Sequence, residues 1–156
     1  MFRLLSILLL SFCTLKGYGQ PYDVKIKTLP DTIFFIDPKI PLEDGLNYYV
    51  FNKKADFNKL FGLTKYHTEK SDIIDFKKEL PIALALYPPN SDVHIKFVRA
   101  FKVGSIIEVF FTISRKHYPT TYTTYPLLIG TLPRIADVNT IQFYIDKELQ
   151  KEVKIK

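Results

Sequence analysis

Residues 81–87, Pro-Ile-Ala-Leu-Ala-Leu-Tyr, form an unbroken apolar run closed by Pro88-Pro89. The run has the length of a strand and is too short for a buried helix; proline is tolerated at a strand start, and two prolines end it. A half-buried strand alternates apolar with polar residues, so a strand without alternation is covered on both faces. The chain is therefore organised around the stretch Ile73 to Tyr87. The segments C-terminal to it read as partner strands, and those N-terminal to it as a leader, an approach strand and one short helix.

Met1-Phe-Arg3 is a positive start, Leu4 to Leu15 an apolar core, and Gly17-Tyr-Gly19 a small-x-small cleavage signal before Gln20. This pattern predicts a signal peptide over residues 1–19 and an exported mature chain. Lys16 interrupts the run before the roughly 20 residues a membrane-spanning helix needs. Cys13 follows Phe12, whereas lipid attachment wants a small residue there, so no lipid anchor is expected. Cleavage after Gly19 would leave residues 20–156, one domain without cysteine, which fits a bacterial periplasmic, envelope-associated or secreted protein that does not depend on disulfides. Thiolate chemistry is thereby excluded from the mature chain. Without Arg3 and Lys16 the formal charge falls from +6 to +4. Basic and acidic residues are interleaved, as in Lys53-Lys54-Ala55-Asp56, rather than gathered into a nucleic-acid footprint. Ten tyrosines and 13 phenylalanines with no tryptophan suit the half-buried pleat of β-structure.

In chain order, Tyr22 to Leu29 alternates Val24, Ile26 and Thr28 against Asp23, Lys25 and Lys27, the period of a half-buried strand. Thr32 to Ile36 is a short apolar run, residues 37–45 a proline-rich and aspartate-rich loop, and Leu46 to Phe51 a strand. Phe57, Leu60 and Phe61 at helical spacing predict a two-turn helix over Lys53 to Phe61, with Asn52 as its cap and Gly62 as its stop. Val93 to Phe101 and Ile106 to Ser114 read as an antiparallel hairpin turning at Gly104. Tyr125 to Leu132 and Thr140 to Ile145 are further strands, and Asp146 to Lys156 is a charged tail that finishes the last strand or frays. The predicted class is mainly β (α+β), a single antiparallel β-sandwich or partly open barrel with one short helix.

The order from Tyr48 to Arg134 resembles that of one family. Tyr49 to Phe61, then Ile74-Asp75-Phe76 leading into the apolar strand, then a hairpin, then Thr124-Tyr125-Pro126-Leu127 is similar to the PrcB C-terminal-like domain, over about 87 residues. The resemblance implies an accessory, noncatalytic subunit of an exported protease complex, or a small envelope protein on the same fold. Where that family carries a Gly-Gly-containing turn, this chain has Pro88 to Asp92, which is bulkier and more rigid.

No set of reactive residues forms a catalytic constellation. His67, His94 and His117 lack the neighbouring ligands of a metal site, so no metal or cofactor is expected. Ser91, Ser105 and Ser114 lack a glycine-flanked elbow, and Asp75, Glu79 and Glu108 stand as isolated carboxylates, for which solvated charge or a local ion pair is the plainer account. The most suggestive surfaces are loops. Pro88, Pro89, Asn90, Ser91 and Asp92 form one, and Tyr118, Tyr122 and Tyr125 among threonines form another, since tyrosine supplies rigid amphipathic contact area. Packing of those tyrosines on the core is the plainer alternative. Edge strands, either Tyr22 to Leu29 or the C-terminal run, offer a second route to a partner through main-chain pairing. The expected function is an exported noncatalytic module binding a protein partner, a protease among the candidates, through these loops. A structural envelope protein and a hydrolase with an unrecognised site are the alternatives.

Overall fold

A computed structural model describes residues 20–30, 32–64, 73–88, 93–115 and 125–155. The central strand is β6, Glu79–Tyr87. In its four-stranded sheet, β4 (Gly45–Val50) and β9 (Leu127–Pro133) flank it antiparallel, and β2 (Lys27–Thr28) sits beyond β9. The second sheet has the order β1 (Tyr22–Asp23), β7 (Val93–Val103), β8 (Ile106–Arg115), β10 (Thr140–Ile145), β11 (Glu148–Lys154). A two-stranded ribbon, β3 (Phe34–Ile36) with β5 (Phe61–Leu63), and the helix α1 (Lys54–Leu60) form a third layer.

The unbroken apolar run thus has the expected cause. Ile82 and Leu84 enter the core between the two sheets, against Phe97, Val109, Phe111 and Phe143, while Ala83 and Ala85 enter a second core with Phe51, Phe57, Leu60 and Phe61. The four residues from Ile82 to Ala85 are fully buried. Small side chains on the second face leave room for the phenylalanine cluster. The expected sandwich is present, and among the described residues no closed barrel forms and one pairing departs from antiparallel: β10 runs parallel to β8. Between them the chain crosses to the other sheet as β9, so it re-enters the first sheet in the direction in which it left.

Several local expectations are corrected by the structure. The segment Tyr22 to Leu29 is not one strand in one sheet. Tyr22 and Asp23 pair with β7, the Val24 N–H donates to the Ala100 carbonyl, and Lys27 and Thr28 pair with β9 of the other sheet. Alternation is the same on either sheet and so could not reveal the switch. Asn52 does not cap α1: the cap position is Lys53, without a side-chain bond, and Asn52 instead accepts from Arg134 through Oδ1 and its carbonyl. Arg134 also donates through Nε to the Phe76 carbonyl at 2.8 Å, tying the start of α1 to the turn before β6. Gly62 is not a left-handed stop. The chain becomes extended at Phe61, and Gly62 lies in β5 opposite Phe35, whose ring occupies the space a Cβ would take.

The charged tail is ordered as β11, joined to β10 by a two-residue turn in which Asp146 (φ 47°) and Lys147 (φ 73°) are both left-handed. Such a turn favours glycine, because a Cβ is strained there. Lys147 is exposed, so Lys147→Gly is expected to raise the unfolding free energy by about 1 kcal/mol, read as a higher thermal midpoint. An unchanged or lower midpoint would show that the strain is absent.

Candidate functional site

The two expected contact loops are rooted at one end of the sandwich. β6 leaves the core at Tyr87, and exposed Pro88 begins the connection to Val93 of β7. β8 ends at Arg115, opposite Val93, and the chain returns at Tyr125. The Tyr87 and Tyr125 rings are stacked, 6.3 Å apart at 16°, and the Leu86 N–H donates to the Pro126 carbonyl at 3.0 Å. Antiparallel β6 and β9 bring these residues together, with Ala85 opposite Leu127. On the far side Gly45 (φ 89°) opens β4 opposite Tyr87. Buried Asn47 stiffens that rim: its amide donates to the Glu43 and Gly45 carbonyls and its Oδ1 accepts from the Glu43 N–H.

Of the expected contact residues, Pro88 is exposed at this end, whereas Tyr125 is half-buried and packs against the second core. For Tyr125 the plainer packing role therefore accounts for part of its surface. Pro89, Asn90, Ser91, Asp92, Tyr118 and Tyr122 lie outside the described residues, as do His67 and His117 and residues 1–19.

The residues that carried the family resemblance hold the structure together. Ile74 is buried in the second core and the Phe76 ring meets that of Phe57 edge-on at 5.8 Å. Between them, Asp75 Oδ1 accepts from the Lys77 N–H and Oδ2 lies 3.7 Å from Lys78 Nζ, the local ion pair expected from sequence. Glu79 is more engaged. Its Oε2 accepts from the Asp75 N–H at 2.9 Å, and its Oε1 from the Thr131 hydroxyl at 3.0 Å and Lys27 Nζ at 3.4 Å, which links β2, β9 and β6. Burial alone would raise this carboxyl, but the Asp75 and Thr131 donors and the Lys27 charge outweigh it and hold Glu79 below the usual glutamate range. A carboxyl with a depressed folded pKa stabilises above its unfolded value, near 4.5, and that contribution is lost as pH falls through the folded value. Glu79→Gln should therefore cost about 1 kcal/mol at neutral pH, with the gap to wild type closing in acid. Parallel acid-denaturation curves for the two proteins would contradict this.

The outer face of the five-stranded sheet holds a cluster that the sequence pattern did not single out. Phe101 and Phe110 meet edge-on at 6.0 Å, Phe110 and Tyr144 are stacked at 5.0 Å, and the Arg99 guanidinium lies 4.9 Å and 5.1 Å from the Phe101 and Phe110 centroids. The Tyr144 hydroxyl donates to Gln142 Oε1, and Gln142 Nε2 to Glu152 Oε2. Burial, then the Glu108 and Glu152 charges, push the Tyr144 phenol up. The rings are engaged with one another and with the guanidinium, which is poor geometry for a flat sugar-stacking platform. The signal was available, since Arg99, Phe101, Phe110 and Tyr144 all occupy outward positions once the register is known.

His94 stands opposite Ser114 on the same exposed face, and the charged neighbours along this part of β7 and β8 are Lys96, Arg99 and Arg115. No carboxylate is placed to orient the imidazole among the described residues. Nor is there, among these residues, a cluster of His, Cys, Asp or Glu suited to a metal ion, or a helix long and apolar enough to cross a membrane.

The fold and this geometry define a mainly β, sandwich-like α+β domain with paired loop roots at one end. No family model matches the chain, and no curated protein or solved structure does either.

Proposed function

We propose that this chain is an exported, noncatalytic binding protein that engages a protein partner through the sandwich end bearing Pro88 and Tyr125. The observation that supports the reading most directly is the convergence of two loop roots from distant parts of the sequence, fixed by the Tyr87 and Tyr125 stack and by Val93 opposite Arg115. Loops held by a rigid scaffold are where recognition concentrates. The finer form of the proposal rests on the resemblance to the PrcB C-terminal-like domain: the partner is an exported protease, which the module restrains or scaffolds. The cleavage pattern at Gly17 to Gly19 supports export.

The test is affinity capture of the chain beginning at Gln20 from its own organism's envelope and secreted fractions, in parallel with a variant in which residues 88–92 and 116–124 are replaced by short glycine-serine linkers. A protease retained by the first and lost by the second supports the proposal. Equal recovery with both proteins would overturn it.

A further inference from the structure

The five-stranded sheet has two edges that are treated differently by the sequence. β11 forms one edge along its whole length and carries both signs of charge, Glu148, Lys151, Glu152 and Lys154, the usual protection against unwanted pairing. At the other edge β1 covers only the end of β7, pairing with Phe101 and Lys102. The N-terminal segment then leaves for the other sheet. Among the described residues, Val93 to Phe97 pairs with β8 alone.

The hydrogen-bonding parity of this stretch is set by the register. The Ala100 carbonyl accepts from the Val24 N–H, so the Ala100 backbone points to the outer edge, and its partner on β8, Val109, is in a pair not bonded across the two strands. Residues along β8 alternate from Val109, which places Phe111, Ile113 and Arg115 in the same kind of pair. Their partners Phe97, Ile95 and Val93 therefore direct their amides and carbonyls outward. Val98, the extra residue of the bulge between Phe97 and Arg99, is 57% exposed.

The charged side chains exposed on this stretch of β7 are Lys96 and Arg99, with the neutral His94 beside Lys96 on the same face. Among the described residues Lys96 has no ion pair, and the Arg99 guanidinium lies over the Phe101 and Phe110 rings. Where the N-terminal segment turns away from β7, a cavity of about 200 Å³ opens between Asp23, Ile26 and Thr28 on one side and Phe97, Val98 and Arg99 on the other. It lies at the end of the open edge and has the size of one side chain.

We infer that the Val93 to Phe97 edge of β7 accepts an extended, acidic segment of a partner polypeptide as an added strand, with its carboxylates beside His94 and Lys96 and one side chain in the cavity. The inference rests on the binding-protein reading for the class of ligand and adds to it the mode and the chemistry of recognition. Strand addition draws its affinity from main-chain bonds and its selectivity from alternate side chains. Edge protection is the competing account, because a bulge and a lysine both blunt edges. A lysine blunts pairing with a neutral or basic strand, however, whereas an acidic strand beside Lys96 gains an opposite-charge pair.

The probes are a synthetic peptide alternating threonine and glutamate, the same peptide with lysine for glutamate, and the acidic peptide N-methylated at alternate residues. Only the unmethylated acidic peptide is expected to bind and to slow hydrogen exchange at the Ile95 and Phe97 amides, while Lys96, already bonded to β8, is unaffected. Placing two carboxylates on this face, His94→Glu with Lys96→Glu, should weaken binding about tenfold, since opposite charges across neighbouring strands attract and like charges repel. Lys151→Glu on β11 should leave it unchanged. Equal binding of the methylated peptide would reduce the site to a simple cationic patch, as would equal binding of an anionic polysaccharide, and either would overturn strand addition. Absence of exchange protection at Ile95 and Phe97 with every peptide would also overturn it. Loop-dependent capture of a protease would still stand after such a failure, so the two proposals fail separately.

Discussion

Phe57→Ala is expected to lower the unfolding free energy by about 3–5 kcal/mol, the cost of removing a fully buried aromatic ring. Phe57 is 2% exposed and is the hub of the second core. Its ring lies 5.3 Å from Phe34, 5.2 Å from Phe51, 4.9 Å from Phe61 and 5.8 Å from Phe76, mostly edge-on, an arrangement that adds to the area buried. These partners come from β3, the residue just after β4, β5 and the turn before β6, so the ring joins the third layer to the central sheet. Collapse around the void is limited, because β6 contributes only Ala83 and Ala85 to this core and neither can extend. Urea unfolding followed by far-ultraviolet circular dichroism reads the loss, and a change below about 1 kcal/mol would mean that the third layer is not cooperative with the sandwich.

Gly130→Val is the second large effect, at or above the about 1–3 kcal/mol usual for overpacking. A Cβ at Gly130 would meet the Phe97 ring at 2.7 Å, and Ile26 and the Lys27 carbonyl at 3.2 Å. Phe97 is buried between the sheets, and Lys27 is held in register by Thr131, so neither neighbour has free space to move into. Gly62→Ala makes the control. Its nearest contact is the far end of the Phe35 ring, but Phe35 is 46% exposed and can swing into solvent. Matched thermal melts should separate the two glycines clearly; equal tolerance would show that β2 does not lie against β9 as described.

The parts of this fold that could be read from sequence are those decided by neighbours in the chain. The two-sided burial of β6 was visible in Ile82 to Ala85, the hairpin of β7 and β8 in Gly104, and the helix in Phe57, Leu60 and Phe61. The readings that failed turned on partners far away. Gly62 looked like a helix stop, yet its smallness serves Phe35, a residue of another strand. Asn52 looked like a cap, yet it is held by Arg134 from beyond β9. Val98 fitted the alternation of β7, and only pairing with β8 exposed it as the surplus residue of a bulge. The parallel approach of β10 to β8 left no trace, because strand direction is set by where β9 takes the chain.

The candidate site was legible to a similar degree. Pro88 and Tyr125 could be nominated from residue type, but nothing in their spacing said that β6 and β9 would place them at one end. That Val93 to Phe97 pairs with β8 alone among the described residues was invisible for a different reason. Whether a strand is an edge depends on which strands are absent beside it, and a sequence holds only the strands that are present.

The switch of the N-terminal segment from one sheet to the other has a consequence for the order of assembly. Tyr22 and Asp23 must find Lys102 and Phe101, while Lys27 and Thr28 must find Thr131 and Gly130. A segment before all the other strands thus waits for partners made far downstream of it, and such distant closures are slow steps in folding. Until they occur the two sheets lack the stitch along that flank, and the side of β7 away from β8 has lost its pairing with β1. The molecule is in this sense sewn shut with a thread laid down before the cloth.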